Sequence, residues 1–139
     1  MKGERMKVHW NLHEHAWTLT ALSGPDKGHV VAYVDNITLS NVTFKVSEAG
    51  RRRSLRLGHR TVHAHVVGIV VSIDDQADVH GMTKITYNPA ADRAPTFETS
   101  DGSPVHWAPL VLFARDPRKP EHGYGWITSG CNDTEGADG

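Results

Sequence analysis

Met6-Lys7-Val8-His9-Trp10-Asn11-Leu12-His13 is the stretch that decides the fold class. Met6, Val8, Trp10 and Leu12 alternate with Lys7, His9, Asn11 and His13, and an extended chain sends successive side chains to opposite faces. The stretch reads as a half-buried strand. After a His13-Glu14-His15 link the alternation resumes over residues 16–22, where Trp17, Leu19 and Ala21 oppose Thr18 and Thr20. This is the partner strand.

Outward from that pair the same pattern recurs. Gly24-Pro25-Asp26-Lys27-Gly28 is a turn by composition, and residues 29–34 form a third strand. Asp35-Asn36 punctuates it, and residues 37–46 supply one or two more short strands. Ser47 then takes an N-cap position with Glu48 facing the helix dipole, and residues 51–57 continue as a short helix ended by Gly58. Gly50 weakens that helix by roughly 1 kcal/mol against Ala.

Residues 61–73, rich in Val and Ile, make the strongest strand, and residues 74–81 an acidic loop. Residues 82–87 form a strand closed by Asn88-Pro89, since a residue before Pro favours extended backbone. After a loop at 90–95, residues 97–99 and 105–115 flank a turn at 101–104. A polar turn at 116–123 leads to a last strand at 124–128, placed at an edge. The expected fold is mainly β (α+β): a curled antiparallel sheet or small barrel of about eight short strands, its one helix near 47–58 covering an opening. Residues 1–129 are expected to form a single domain and residues 130–139 a disordered tail.

The 139 residues suffice for one domain with a true core. A net charge of −1 argues against a whole-chain polyanion binder. Cys131 is the single cysteine, so neither an intrachain disulfide nor a Cys-built zinc cage is available. No apolar segment follows the charged start, and the apolar run at 66–73 is too short to cross a bilayer. A cytoplasmic location is the expectation.

Four constellations carry chemistry. Lys45, Arg51, Arg52, Arg53, Arg56 and Arg60 form a basic segment, in which Arg52 and Arg56 share a helical face, as do Arg53 and Arg56. Guanidinium is suited to phosphate, so the segment is either an anion site or a solvated face. His9, His13 and His15 share strand parity with Asn11, as His63 does with His65; each set is either a metal pair or a row of satisfied polar positions. Tyr87-Asn88-Pro89, followed by Arg93, ends a strand in an amide that can read a purine edge. Tyr87, Phe97 and Trp107 could stack on a base, or be core aromatics around a plain turn. Arg115 could meet a phosphate while Asp116 holds the guanidinium or a ribose hydroxyl, or the two could form a surface ion pair. No phosphate-binding Gly loop, dinucleotide fingerprint or nucleophile elbow is present.

Several strings together resemble small bacteriophage and prophage proteins. They are Lys7-Val8-His9-Trp10-Asn11-Leu12-His13, Val42-Thr43-Phe44-Lys45-Val46-Ser47-Glu48-Ala49-Gly50-Arg51, Thr61-Val62-His63-Ala64 and Ile85-Thr86-Tyr87-Asn88-Pro89. Over residues 6–115 the chain is similar to the phage anti-Thoeris nucleotide sponges of the first anti-defence type. The resemblance implies capture, without cleavage, of cyclic ADP-ribose-type immune signals in the host cytoplasm, and for some members of cyclic oligonucleotides at a second site. It implies no catalytic residue, cofactor or metal. Asn88 matches the Tyr-Asn-Pro position of the pocket, and Tyr87, Arg93, Phe97, Trp107, Arg115 and Asp116 complete the candidate ligand-binding set. Residues 105–114 depart from the family pattern. Arg51, Arg52, Arg53, Arg56 and Arg60 suit the second, anion-binding site.

Enclosing a charged ligand is easier for a small chain that shares its pocket, so a homo-oligomer is expected. The competing readings are a nucleic-acid-binding module using residues 51–60 and a His-metal phosphoesterase.

Overall fold

The alternating stretch becomes β1 (Arg5–Asn11), paired antiparallel with β2 (Ala16–Ala21) so that Trp10 faces Trp17 and Val8 faces Leu19. The computed structural model describes residues 2–11, 13–58, 64–75, 78–87, 97–116, 118 and 123–128, with the Tyr87 side chain left aside. The remaining elements are β3 (Val30–Val34), β4 (Asn36–Val46), α1 (Glu48–Leu57), β5 (Ala64–Ile73), β6 (Met82–Tyr87), β7 (Phe97–Thr99), β8 (Trp107–Arg115) and β9 (Gly123–Thr128). They form one antiparallel sheet in the order β3-β2-β1-β5-β4-β8-β9-β6-β7.

That order settles the architecture. The end strands β3 and β7 are separate edges, so the sheet is open and has no barrel mouth for a helix to cover. The last strand is not at an edge: β9 lies between β8 and β6. Residues 37–46 belong to one long strand, β4, bent where Asn41 takes a φ of 50° and its register against β5 shifts. The helix forms as its caps dictate. Ser47 Oγ accepts from Gly50 N at 3.0 Å, and Gly58, at a φ of 71°, donates its N–H to Ser54 O. The expected tail at 130–139 lies outside the described residues.

The sheet curls toward its apolar face. Trp17 on β2 stacks on Phe113 of β8 with ring centroids 4.2 Å apart, although β1, β5 and β4 lie between those strands. Trp10 meets Trp17 edge-on at 5.1 Å, and Phe44 of β4 meets Phe97 of β7 at 4.9 Å. Rings in such arrangements contribute roughly 0.5–1.5 kcal/mol per pair beyond the area they bury. Val8, Leu19, Leu39, Val66 and Val111 fill the space between them.

Gly123, which opens β9, makes this closure possible. A Cβ there would stand 2.6 Å from ring atoms of both Trp10 and Trp17. Indole rings cannot yield as a flexible chain end would. Gly123→Ala is therefore expected to destabilise the fold by about 1–3 kcal/mol, the usual cost of overpacking, measured by urea denaturation. Wild-type stability in that variant would show that the Trp pair is not in contact with β9.

Candidate anion-binding site

Helix α1 divides its arginines between two tasks. Arg51 is buried, at 6% exposure, and its Nη1 donates to both carboxylate oxygens of Glu48 at 3.0 and 3.1 Å. This takes Arg51 out of the anion site expected from the sequence and makes it a structural ion pair one turn into the helix. Arg52, Arg53 and Arg56 are exposed, while Arg60 lies outside the described residues. The helix is inverted relative to an ordinary amphipathic one: Arg51 and Ser54 are buried, whereas Leu55 and Leu57 are each 55% exposed.

The ligand set expected around Asn88 fares unevenly. Asn88 and Arg93 lie outside the described residues; Tyr87 is placed only by its backbone, opposite Phe97. Phe97 is 2% exposed and packed on Phe44, so its ring serves the core and has no face left for a base. Trp107 is half-buried and donates its Nε1–H to Asn41 Oδ1 at 2.9 Å.

Arg115 does not turn to Asp116. Its Nη2 pairs with Asp35 Oδ1 at 2.8 Å, and its Nη1 donates to His15 O at 3.3 Å. Asp74 Oδ1 in turn accepts from the Asp35 and Asn36 backbone N–H groups, both at 3.0 Å. Arg115 thus ties the β1–β2 turn and the β3–β4 corner to the end of β8. Asp116 Oδ1 accepts from Arg118 N at 2.9 Å in a local turn.

The histidines regroup. Strand geometry stops at Asn11, whose Oδ1 accepts from His13 N and Glu14 N at 2.8 and 2.9 Å, and His15 has a φ of 53°. His13 and His15 therefore lie in a turn and do not extend the parity of His9; His63 lies outside the described residues. His9 instead approaches His65. Strands β1 and β5 run antiparallel with Val8 opposite Val66, which puts His9 and His65 at the next position of the ladder. Lys45 on β4 is opposite His65, and Lys7 precedes His9 by two residues on the same face. Among the described residues, no group of three or more His, Cys, Asp or Glu side chains forms a cluster that could hold a metal ion.

Burial lowers the His9 imidazole below its ordinary value, and Lys7 adds to the effect. His65 is pushed down to about 4, first by burial and then by the positive charges of Lys7, Lys45 and His9. This gathering was hidden in the sequence because it depends on β1 pairing with β5. The available signal was that Lys7 and His9 share the polar parity of β1 and that His65 interrupts an otherwise apolar parity of β5, with Val67, Ile69, Val71 and Ile73.

Two stability tests follow from these environments. Arg51→Gln should cost roughly 1–3 kcal/mol, since it leaves a buried polar side chain poorly satisfied; Arg52→Gln should stay within about 0.5 kcal/mol, as surface changes do. Thermal melts of both variants check this, and equal effects would sink the division of labour. For His65 the sign is set by linkage: below its ordinary 6.5 the unfolded chain binds a proton that the folded chain refuses until about 4. Stability is therefore complete above 6.5 and is lost as pH falls through that window. In His65→Asn the fall in melting temperature over this window should be shallower than in wild type; parallel curves would remove His65 from the account.

Comparison with known proteins identifies relatives by sequence. A model of the family described as Mycobacterium phage L5 gene 82 protein matches residues 1–119, a span that takes in β1 to β8. The gene 82 protein of Mycobacterium phage L5 is 35% identical over 94 residues, which cover 63% of this chain and 73% of that protein. No solved structure matches. The family match rests on sequence alone, and neither relative's description names a ligand or an activity. The chain belongs to the Mycobacterium phage L5 gene 82 protein family, a family of bacteriophage proteins.

Proposed function

We propose that this phage protein is a non-catalytic binder that sequesters a phosphate-bearing nucleotide signal, of the cyclic ADP-ribose or cyclic oligonucleotide kind, and so blunts a host defence. The observation that carries the reading is the exposure of Arg52, Arg53 and Arg56 on a ten-residue helix whose single carboxylate, Glu48, is already engaged by Arg51. Arg52 and Arg56 stand one turn apart, a spacing at which two guanidiniums can grip neighbouring phosphates through charge-assisted bonds. Capture needs such donors and needs neither a nucleophile nor an activated water. The sponge resemblance suggests the ligand class, and the exposed arginines of the helix support a phosphate-binding role.

The same arginines would also serve a nucleic-acid-binding module, and salt separates the two. A protein tracking a nucleic-acid backbone loses affinity steeply and linearly in log salt, because it releases condensed counterions.

Calorimetry with a cyclic trinucleotide and with cyclic ADP-ribose, on wild type and on the Arg52→Gln/Arg56→Gln double variant, tests the proposal. The expected result is a loss of about ten- to a hundredfold in cyclic trinucleotide affinity, matching roughly 1.5–3 kcal/mol for a bond to a charged group. Binding of cyclic ADP-ribose should be spared. Ligand recovered after denaturing the complex should have its original mass. Cleaved ligand, unchanged affinity in the double variant, or tighter and salt-steep binding to a single-stranded oligonucleotide would each overturn the reading.

A further inference from the structure

The sheet has a second face, opposite the Trp and Phe core, and its centre is polar. Across adjacent strands it presents Tyr33 on β3, Thr18 on β2, His9 on β1, His65 on β5 and Lys45 on β4. Tyr33 is opposite Thr18, Thr18 opposite His9, and Lys45 opposite His65. The next row carries Thr20 opposite Lys7, Lys7 opposite Val67, and Val67 opposite Thr43. Arg5 lies one row further on β1.

We propose that this face holds a tetrahedral oxyanion, the phosphate group of a small molecule, between Lys7, His9, His65 and Lys45. The site is distinct from the arginines of α1 and does not depend on them.

Three observations support it. Four basic side chains meet on the three adjacent strands β1, β5 and β4, and the charges acting on His65 are all cationic: Lys7, Lys45 and His9. Lys45 directly faces His65 across the ladder, and burial together with the nearby lysine charges keeps both imidazoles neutral, a state that a bound anion would reverse. Second, the Thr18 hydroxyl, 1% exposed beside His9, finds no hydrogen-bond partner among the described residues. Buried hydroxyls are ordinarily paired, and an oxyanion or its bound water would supply the acceptor. Third, β1, β5 and β4 are interior strands, so the donors stand on rigid backbone and little ordering is needed on binding. Lysines and imidazoles suit phosphate; the same lysines repel a metal cation from the histidine pair.

The groups facing the two histidines fix the pH dependence. From β1 comes Lys7, from β4 Lys45, and from β2 and β3 the uncharged Thr18 and Tyr33. With no anion the histidines are neutral near pH 7, because burial and those cations oppose their protonation. A bound dianion reverses the balance, so binding takes up protons and tightens as pH falls. Each histidine coupled in this way adds up to about tenfold in affinity per pH unit between its midpoint in the complex and its lower midpoint in the free protein.

Sulfate keeps its charge throughout this range and isolates the protein's own protons. Ring signals of His9 and His65, assigned with His9→Asn and His65→Asn, are followed by NMR from about pH 7.5 to 3.5. Sulfate or inorganic phosphate is titrated against chloride at matched ionic strength. The expected result is that both oxyanions shift the two rings and raise their titration midpoints, and that affinity rises on acidification. Lys45→Gln, an exposed strand position whose replacement leaves the core intact, should weaken sulfate about tenfold or more. Arg52→Gln/Arg56→Gln should leave the sulfate response unchanged, which separates this site from the helix. Rings that do not respond to either oxyanion, a Lys45→Gln protein that binds as wild type, or rings that respond to nickel ion and not to sulfate would overturn the proposal.

Discussion

The stack of Trp17 on Phe113 is the contact on which the rest of the structure depends. It joins two strands that β1, β5 and β4 hold apart in the sheet, so it can form only if the sheet bends sharply toward its apolar side. Once bent, the sheet encloses Trp10, Trp17, Phe44 and Phe97 in one core that is out of water. Aromatic side chains bury the most area per residue, which suits a chain whose hydrophobic content is only 38%. Gly123 is the corollary, since β9 reaches the indoles only where a residue has no Cβ.

Curling divides the molecule chemically. The inner face is filled by rings and branched aliphatic chains. The outer face takes the alternate residues of β1, β2, β4 and β5, among them Lys7, His9, Thr18, Thr20, Thr43, Lys45 and His65 beside the apolar Val67. Arginine is used in two ways. Arg115 and Arg51 are spent on structure, the one bracing the β3–β4 corner and the other locked to Glu48. Arg52, Arg53 and Arg56 remain exposed on α1. A guanidinium is worth most where its planar fork meets a carboxylate held in place, and in this protein some arginines have such a carboxylate within the fold.

The family places the protein in a bacteriophage, and the two basic regions give that placement a chemical direction. Among the described residues, α1 exposes Arg52, Arg53 and Arg56, and the outer sheet face carries Lys7 and Lys45. On the two proposals made above, the region on the short helix would take ligands with several phosphates and the region on rigid strands a single tetrahedral group.

Period-two alternation in β1 and β2, the Ser47 and Gly58 caps of α1, and the turn at Gly24 to Gly28 were legible in the amino acids, because each depends on residues a few positions apart. The mainly β class followed from them. What could not be read was which strand lies beside which. The pairing of β1 with β5 creates the His9, His65, Lys7 and Lys45 cluster, and the placing of β9 inside the sheet brings Gly123 under the indoles. The fates of Phe97, Arg51 and Arg115 turned on contacts with Phe44, the fold's interior and Asp35, where side-chain chemistry alone had suggested ligand binding. Local sequence determined the elements, because backbone propensity and side-chain periodicity act over single turns and strands. Tertiary structure decided the site, because long-range register is chosen by the fit of the whole core.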